Sequence, residues 1–238
     1  MEKTKKKNFS VPRCLRGEFH VGEARLLKVG LTGGMAAGKT TVGAMLAALG
    51  ARVVQADAIA HQLMLPGEPV YEEVVRRFGR GILDPDGKVN RSRLAEAAFQ
   101  APPGGGPRRI QELNEIVHPA VLRRQNEWME EIGRSDPHAI AVVEAALLLE
   151  AGAGKDFDRL IVVTCRPEQR VERWSQRAGV DTQTARAEVT RRMASQWPDE
   201  EKIKAADYVI DNSGSLQDTN DQVRELYAQL EEQAGGSG

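Results

Sequence analysis

Five short apolar runs, 26–32, 52–57, 139–145, 159–165 and 208–211, are rich in Val, Ile and Leu and lack a regular polar alternation. Runs of that kind predict strands buried on both faces, the condition of a parallel sheet covered by helices. Between them the period changes. Val42, Met45, Leu46 and Leu49 follow the spacing of one helix face, and Gly50 stands where a helix C-terminus favours glycine. Strand and helix repeat along the chain, which predicts an open α/β sheet of five parallel strands.

Two stretches break the repeat. The first, 58–136, offers no convincing strand and predicts helices over 69–78, over 91–99, and through Ile110, Leu113, Ile116 and Val117. Pro119 is expected to kink that helix or restart it as the next one, which carries Leu122, Trp128 and Met129. The proline- and glycine-rich 101–107 reads as a loop. The second stretch, 179–205, is polar and helical, and an amphipathic helix over 216–230 closes the domain. The expected division is a core of 26–57, 137–178 and 206–233, a helical module at 58–136 and a lid at 179–205. Residues 1–25, opening with Lys3, Lys5, Lys6 and Lys7, read as a loosely attached extension, and 234–238 as a flexible tail.

Composition narrows the function classes. The longest apolar run, 139–149, is interrupted by Glu144 and too short to span a bilayer, so no membrane insertion is expected. A formal net charge of −1 gives no general attraction for nucleic acid. Cys14 and Cys165 lie far apart without metal-ligand spacing, which fits a reducing, cytoplasmic setting. A monomer or weak oligomer is expected.

The strongest chemical signal is Gly33-Gly34-Met35-Ala36-Ala37-Gly38-Lys39-Thr40, which fits G-x-x-x-x-G-K-[ST] between an apolar strand and a helix. In such a P-loop the glycines let successive N–H groups turn inward on phosphate oxygens, and the helix N-terminus adds partial positive charge. Lys39 then reaches the β- and γ-phosphates, and the Thr40 hydroxyl holds Mg²⁺. The motif alone names no reaction. A guanine-reading Thr/Asn-Lys-x-Asp is absent, and a helical module with an Arg-rich late segment suggests a kinase with a substrate cap and lid.

Other residues carry two readings each. Asp57, placed by the pattern at the carboxyl end of the second strand, faces the ligand crevice or caps the next helix, with equal weight. As a crevice residue it can orient an attacking hydroxyl and take its proton. Arg166, Arg170, Arg173 and Arg177 form one helical row opposite Val171, Trp174 and Ala178. Arg166 and Arg170 are expected on a solvated face, whereas Arg173 and Arg177 are expected to stabilise charge during phosphoryl transfer, with Arg192 a weaker candidate in the lid. Glu144 ends the third strand; substrate orientation or helix capping ranks above a Mg²⁺-bound water for it. His118, inside the helical module, carries no signal from spacing.

Several motifs taken in order resemble the dephospho-CoA kinase family. They are Val29-Gly30-Leu31-Thr32-Gly33-Gly34 running into Gly38-Lys39-Thr40-Thr41-Val42, then Asp57-Ala58-Ile59-Ala60-His61, and His118-Pro119. Glu144-Ala145-Ala146-Leu147-Leu148-Leu149-Glu150 and Ala206-Asp207-Tyr208-Val209-Ile210-Asp211-Asn212-Ser213-Gly214 complete the set. The likeness spans about 26–230. It implies a P-loop NTPase fold, ATP on residues 33–41, a catalytic carboxylate at Asp57, and dephospho-CoA received by the helical module. It further places His118, Glu144 and Leu147 near substrate, the lid with Arg173 and Arg177 over the nucleotide, and the backbone around Asn212 near adenine. Two departures stand out. Gln55-Ala56-Asp57 replaces the usual Asp-Ala-Asp, keeping the second carboxylate, and Ala146 replaces a usual proline.

Overall fold

A computed structural model describes residues 25–99 and 109–235. Cys14, the extension through residue 24, the loop at 101–107 and residues 236–238 of the tail lie outside it. The described chain divides into two compact units, Met1–Val53 with Ile132–Gly238, and Val54–Glu131.

The first unit is built on a five-stranded sheet of β1 (Leu27–Gly33), β2 (Arg52–Gln55), β3 (Ile140–Glu144), β4 (Arg159–Thr164) and β5 (Tyr208–Asp211), in the order β2-β3-β1-β4-β5. β1 runs parallel to β3 and β4, and β5 parallel to β4. The register sets Leu31 beside Glu144, Gly33 beside Val163 and Thr164 beside Asp211, so the carboxyl ends of these strands share one edge. The chain leaves β1 toward β2 on one side and leaves β3 toward β4 on the other. That reversal makes the edge beside β1 and β3 the place where an α/β sheet opens a ligand crevice.

Alternation along the strands sorts the core. Leu27, Val29 and Leu31, with Ile140, Val142, Ile161, Val163 and Ile210, pack on Val42 and Leu46 of α1 (Lys39–Leu49) and on Val223, Leu226 and Leu230 of α9 (Leu216–Gln233). Each such side chain contributes about 1.5–3 kcal/mol of transfer free energy when fully buried. On the opposite face, a Cβ at Gly30 would lie 3.0 Å from Leu148 and Leu160 side-chain atoms. Both faces of the central strands are therefore covered, as the unbroken apolar runs required. β2 differs: it is a short edge strand with exposed ends.

α6 (Pro167–Ala178), α7 (Thr182–Met193) and α8 (Asp199–Ala205) fill the region between β4 and β5. Val171 of α6 packs with Ala185 and Val189 of α7 and with Met35, and Trp174 joins that cluster. Asp181 starts α7 as its N-cap, its carboxylate accepting from the N–H groups of Gln183 and Thr184. Ala178, expected on the buried side of α6, is exposed at its last turn.

The second unit is helical. α2 (Ala56–Leu63), α3 (Pro69–Phe78), α4 (Arg91–Phe99) and the first six turns or so of α5 (Ile110–Ser135) gather around Ile59, Leu63, Val70, Val74, Ile82, Leu94, Ala120 and Val121. A single antiparallel bridge, Leu83 to Val89, closes a turn between α3 and α4. Pro119 neither ends nor restarts a helix, because α5 is continuous through it. Pro119 and Glu115, whose carbonyl loses its usual donor, are both exposed, so water can take the vacated acceptor. The apolar face carrying Ile116, Val117, Ala120 and Val121 stays packed on both sides of the proline.

Candidate active site

Residues 33–38 leave β1 and curl into the start of α1. The curl needs positive φ at Gly38 (101°), where a Cβ would also overlap the Asn212 side-chain amide. Ala36 holds a left-handed φ of 54° without being glycine. Such strain persists only where the surroundings over-determine it. Here they do so through the loop's carbonyls. Lys39 Nζ donates to Gly33 O and Gly34 O, both at 3.1 Å. Arg173 donates to Ala37 O (3.2 Å), Ala36 O (3.5 Å) and Asn212 O (2.8 Å). Asn212 Nδ2 donates to Ala37 O at 2.8 Å and is oriented in turn by the Thr219 hydroxyl on its Oδ1.

C=O and N–H point to opposite sides of a trans peptide. A loop whose carbonyls face back onto Lys39, Arg173 and Asn212 presents the amide hydrogens of those peptides on its other side, in the manner of an anion nest, except that of Ala37, which donates to Gly34 O at 3.2 Å. The N-terminus of α1 opens onto the same place and adds its dipole. The arrangement can hold a polyphosphate.

Glu144, at the end of β3, is 8% exposed and accepts the Thr40 hydroxyl on Oε1 at 2.8 Å, while Oε2 is buried without a hydrogen-bond partner. Glu144 caps no helix; it stands against the very threonine expected to hold metal. Because Thr40 spends its proton on Glu144, its oxygen lone pairs are left for another ligand. A hard cation with oxygen ligands matches that donor set, particularly one that keeps several waters and takes others from phosphates.

The remaining expected residues fall as follows. Arg173 joins the loop, bracing it from the carbonyl side. Arg177 is exposed and lies over the Trp174 ring at 4.6 Å, with Arg192 over the same ring at 4.7 Å, so the geometry does not bring it to the loop. Arg166 is exposed as expected, its guanidinium donating to Ser213 O. Arg170 reverses its expectation. It is 2% exposed, packed under Gly34 and ion-paired with Asp199. Leu147 is exposed in the turn after β3, and Thr41 is exposed in the first turn of α1. Asp57 and His118 belong to the helical unit, both exposed. The strand stops at Gln55, so Asp57 is the second residue of α2 and not a strand end. It does not cap α2 either, since Gln55 holds the N-cap position, but a carboxylate in the first turn favours the helix dipole.

Two supports escaped the sequence reading. Asn212 was placed near the nucleotide only through its backbone, whereas its side chain ties β5 to the loop across 175 positions. Lys202 is fully buried with its Nζ 2.9 Å from Glu150 Oε1. The acidic partner follows the Ala-Leu-Leu-Leu run, and no periodicity links it to a lysine in a polar helix.

The model of the dephospho-CoA kinase family matches residues 27–218. The chain belongs to that family. The dephospho-CoA kinase of Aquifex aeolicus is 39% identical over 203 residues, covering 85% of this chain and 97% of that protein. The dephospho-CoA kinase of Leifsonia xyli is 41% identical over 202 residues, covering 85% and 98%. A solved structure from Thermus thermophilus aligns with a TM-score of 0.70 at 32% identity, over 87% of this chain and 98% of that one. The dephospho-CoA kinase from Campylobacter jejuni, at 23% identity and a TM-score of 0.56 over 85% and 96%, shares the fold. Dephospho-CoA kinases are ATP-dependent phosphotransferases. Among the described residues no helix is long and apolar enough to cross a membrane.

Proposed function

We propose that this chain transfers the γ-phosphate of ATP to the ribose 3′-hydroxyl of dephospho-CoA, releasing ADP and CoA. The observation that carries the reading is the phosphate loop. Its carbonyls are turned away onto Lys39, Arg173 and Asn212, and its threonine is hydrogen-bonded to a buried acid. Phosphoryl transfer asks a protein mainly for positioning and charge neutralisation, which amide donors, a lysine and a helix N-terminus supply.

In this reading residues 33–41 bind ATP and Lys39 moves from its carbonyl partners to the β- and γ-phosphates. Mg²⁺ bound there supplies further neutralisation of the phosphate charge. Thr40 and Glu144 would hold it, Thr40 by its hydroxyl oxygen and Glu144 through the carboxylate oxygen that has no protein partner. Asp57 orients the acceptor hydroxyl and takes its proton, and the helical unit carrying His118 receives dephospho-CoA, with Leu147 offering it an apolar contact. Arg173 stabilises charge from beside the loop. A catalytic part for Arg177 rests on the family resemblance, and the backbone near Asn212 is assigned to adenine on the same ground.

The test is ADP release from MgATP with dephospho-CoA, with adenosine, and with no acceptor, the product being weighed. Release that requires dephospho-CoA, with a product heavier by one phosphate, supports the reaction. Folded, ATP-binding protein that releases no ADP in response to dephospho-CoA would sink it.

A further inference from the structure

Arg170 has no part in the mechanism above, yet it is more deeply buried than the other arginines of its row. Arg173 is half-buried, and Arg166 and Arg177 are exposed. Its guanidinium touches Asp199, Met193 and Gly34, besides the Cys165 thiol. One amino group is ion-paired with the carboxylate of Asp199, the first residue of α8. The other lies 3.1 Å from the Met193 sulfur, at the end of α7, and against Gly34, where a Cβ would overlap it. Arg170 Nε is buried without a hydrogen-bond partner.

The segment that supplies Asp199 is fastened a second time. Trp197 donates its N–H to Glu150 Oε1 at 2.8 Å, and the Lys202 ammonium is held by the same carboxylate. The chain leaving the lid helix is thus clamped both to the guanidinium under the phosphate loop and to the turn that follows Glu144. An ion pair between a buried guanidinium and a carboxylate that is 32% exposed adds little net stability. What this one adds is a fixed, planar platform beneath Gly34, a loop residue with no side chain to absorb a displacement.

We propose that Arg170 is a positioning residue for ATP: locked by Asp199, it sets the Gly34 peptide in its phosphate-binding position and couples the segment leaving the lid to the loop. The inference rests on the reading that the loop holds the phosphates of ATP. Arg170 touches no reacting atom. Its effect runs through Gly34, so it should act on nucleotide binding and not on the acceptor.

The test uses the full chain as wild type, Arg170→Gln, Arg170→Lys, Asp199→Asn and the Arg170→Gln/Asp199→Asn pair. A fluorescent ATP analogue gives Kd without any acceptor, and ADP release gives KM for ATP and for dephospho-CoA. Each charge-removing single substitution is expected to raise analogue Kd and ATP KM about tenfold, with acceptor KM unchanged. The pair should do no more than one single substitution, because both remove the same strut, and Arg170→Lys should recover part of the loss. Kd and ATP KM within about twofold of wild type in the folded pair would overturn the proposal. So would effects that multiply, or an acceptor KM that rises in step. The pair leaves no lone buried charge, so it keeps the test available if a single variant fails to fold. A chain that binds the analogue but transfers nothing to dephospho-CoA refutes the proposed reaction, while the Kd comparison still decides on Arg170.

Discussion

Replacing Glu144 with Gln should move stability and activity in opposite directions. The carboxylate is 8% exposed, with one oxygen bonded to Thr40 at 2.8 Å and the other buried without a partner. An orphaned buried polar group costs about 1–3 kcal/mol, and more when charged; the amide NH2 stays unpartnered there, so only the part due to charge, about 2 kcal/mol, is relieved. Against that, the charge-assisted bond from Thr40 becomes a neutral one, losing about 1 kcal/mol. The balance is about 1 kcal/mol in favour of the ligand-free variant, or a rise in Tm of about 2–4 °C for a domain of this size. Turnover should fall about a hundredfold, equivalent to about 2.7 kcal/mol of transition-state stabilisation, if the free oxygen serves the metal side of the phosphate site. Thermal unfolding without ligand and steady-state ADP release over a Mg²⁺ series measure both halves, and half-saturation should need more Mg²⁺. A variant that melts several degrees lower yet turns over within about twofold of wild type would refute the reasoning. Glu144 would then be a structural partner of Thr40 and nothing more.

Three further outcomes are expected. Asp57→Asn should lower kcat by about 10²–10⁴ with ATP-analogue affinity unchanged, and near-normal turnover would remove Asp57 from the proton transfer. Lys202→Met should destabilise the folded chain by about 3–5 kcal/mol in denaturant titration, because the Glu150 carboxylate, only 14% exposed, loses its counter-charge. Lys202→Met with Glu150→Gln should cost clearly less; equal losses would mean that the two charges are not coupled. Glu188 of α7 is held at a pKa of about 2, first by the hydrogen bond from Arg191 and then by that from Arg192, against the opposing effect of burial. Its folded pKa lies below the unfolded one, so its contribution to α7 is full above about pH 4.5 and is lost as pH falls toward about 2. A carboxyl titration by NMR should find that midpoint, and a value above 4 would contradict the paired geometry.

The chain's own pattern determined the architecture and the phosphate site. The three central strands need apolar side chains on both faces, so their runs are legible without alternation. The helices over Pro69–Phe78 and Arg91–Phe99 were readable to the residue, because proline at a first turn and a 3.6-residue period are local signals. The P-loop was legible for the same reason: strand, glycine-bearing turn and helix start are contiguous. Local reading failed where the deciding partner came from elsewhere. Pro119 reads as a kink or a restart; packing on both sides and exposure of the orphaned carbonyl let α5 run through it without a restart. Arg170 read as solvated because a helical wheel gives a direction and not what lies there; Gly34, Met193 and Asp199 occupy it from three other parts of the chain. Glu144 carries three readings in the sequence, and only the fold shows that Thr40 stands beside it, across 104 positions. Periodicity and motif are short-range properties carried by the backbone, so the sequence alone states them. Burial and pairing of charges depend on which distant segments meet, and only the tertiary structure decided those.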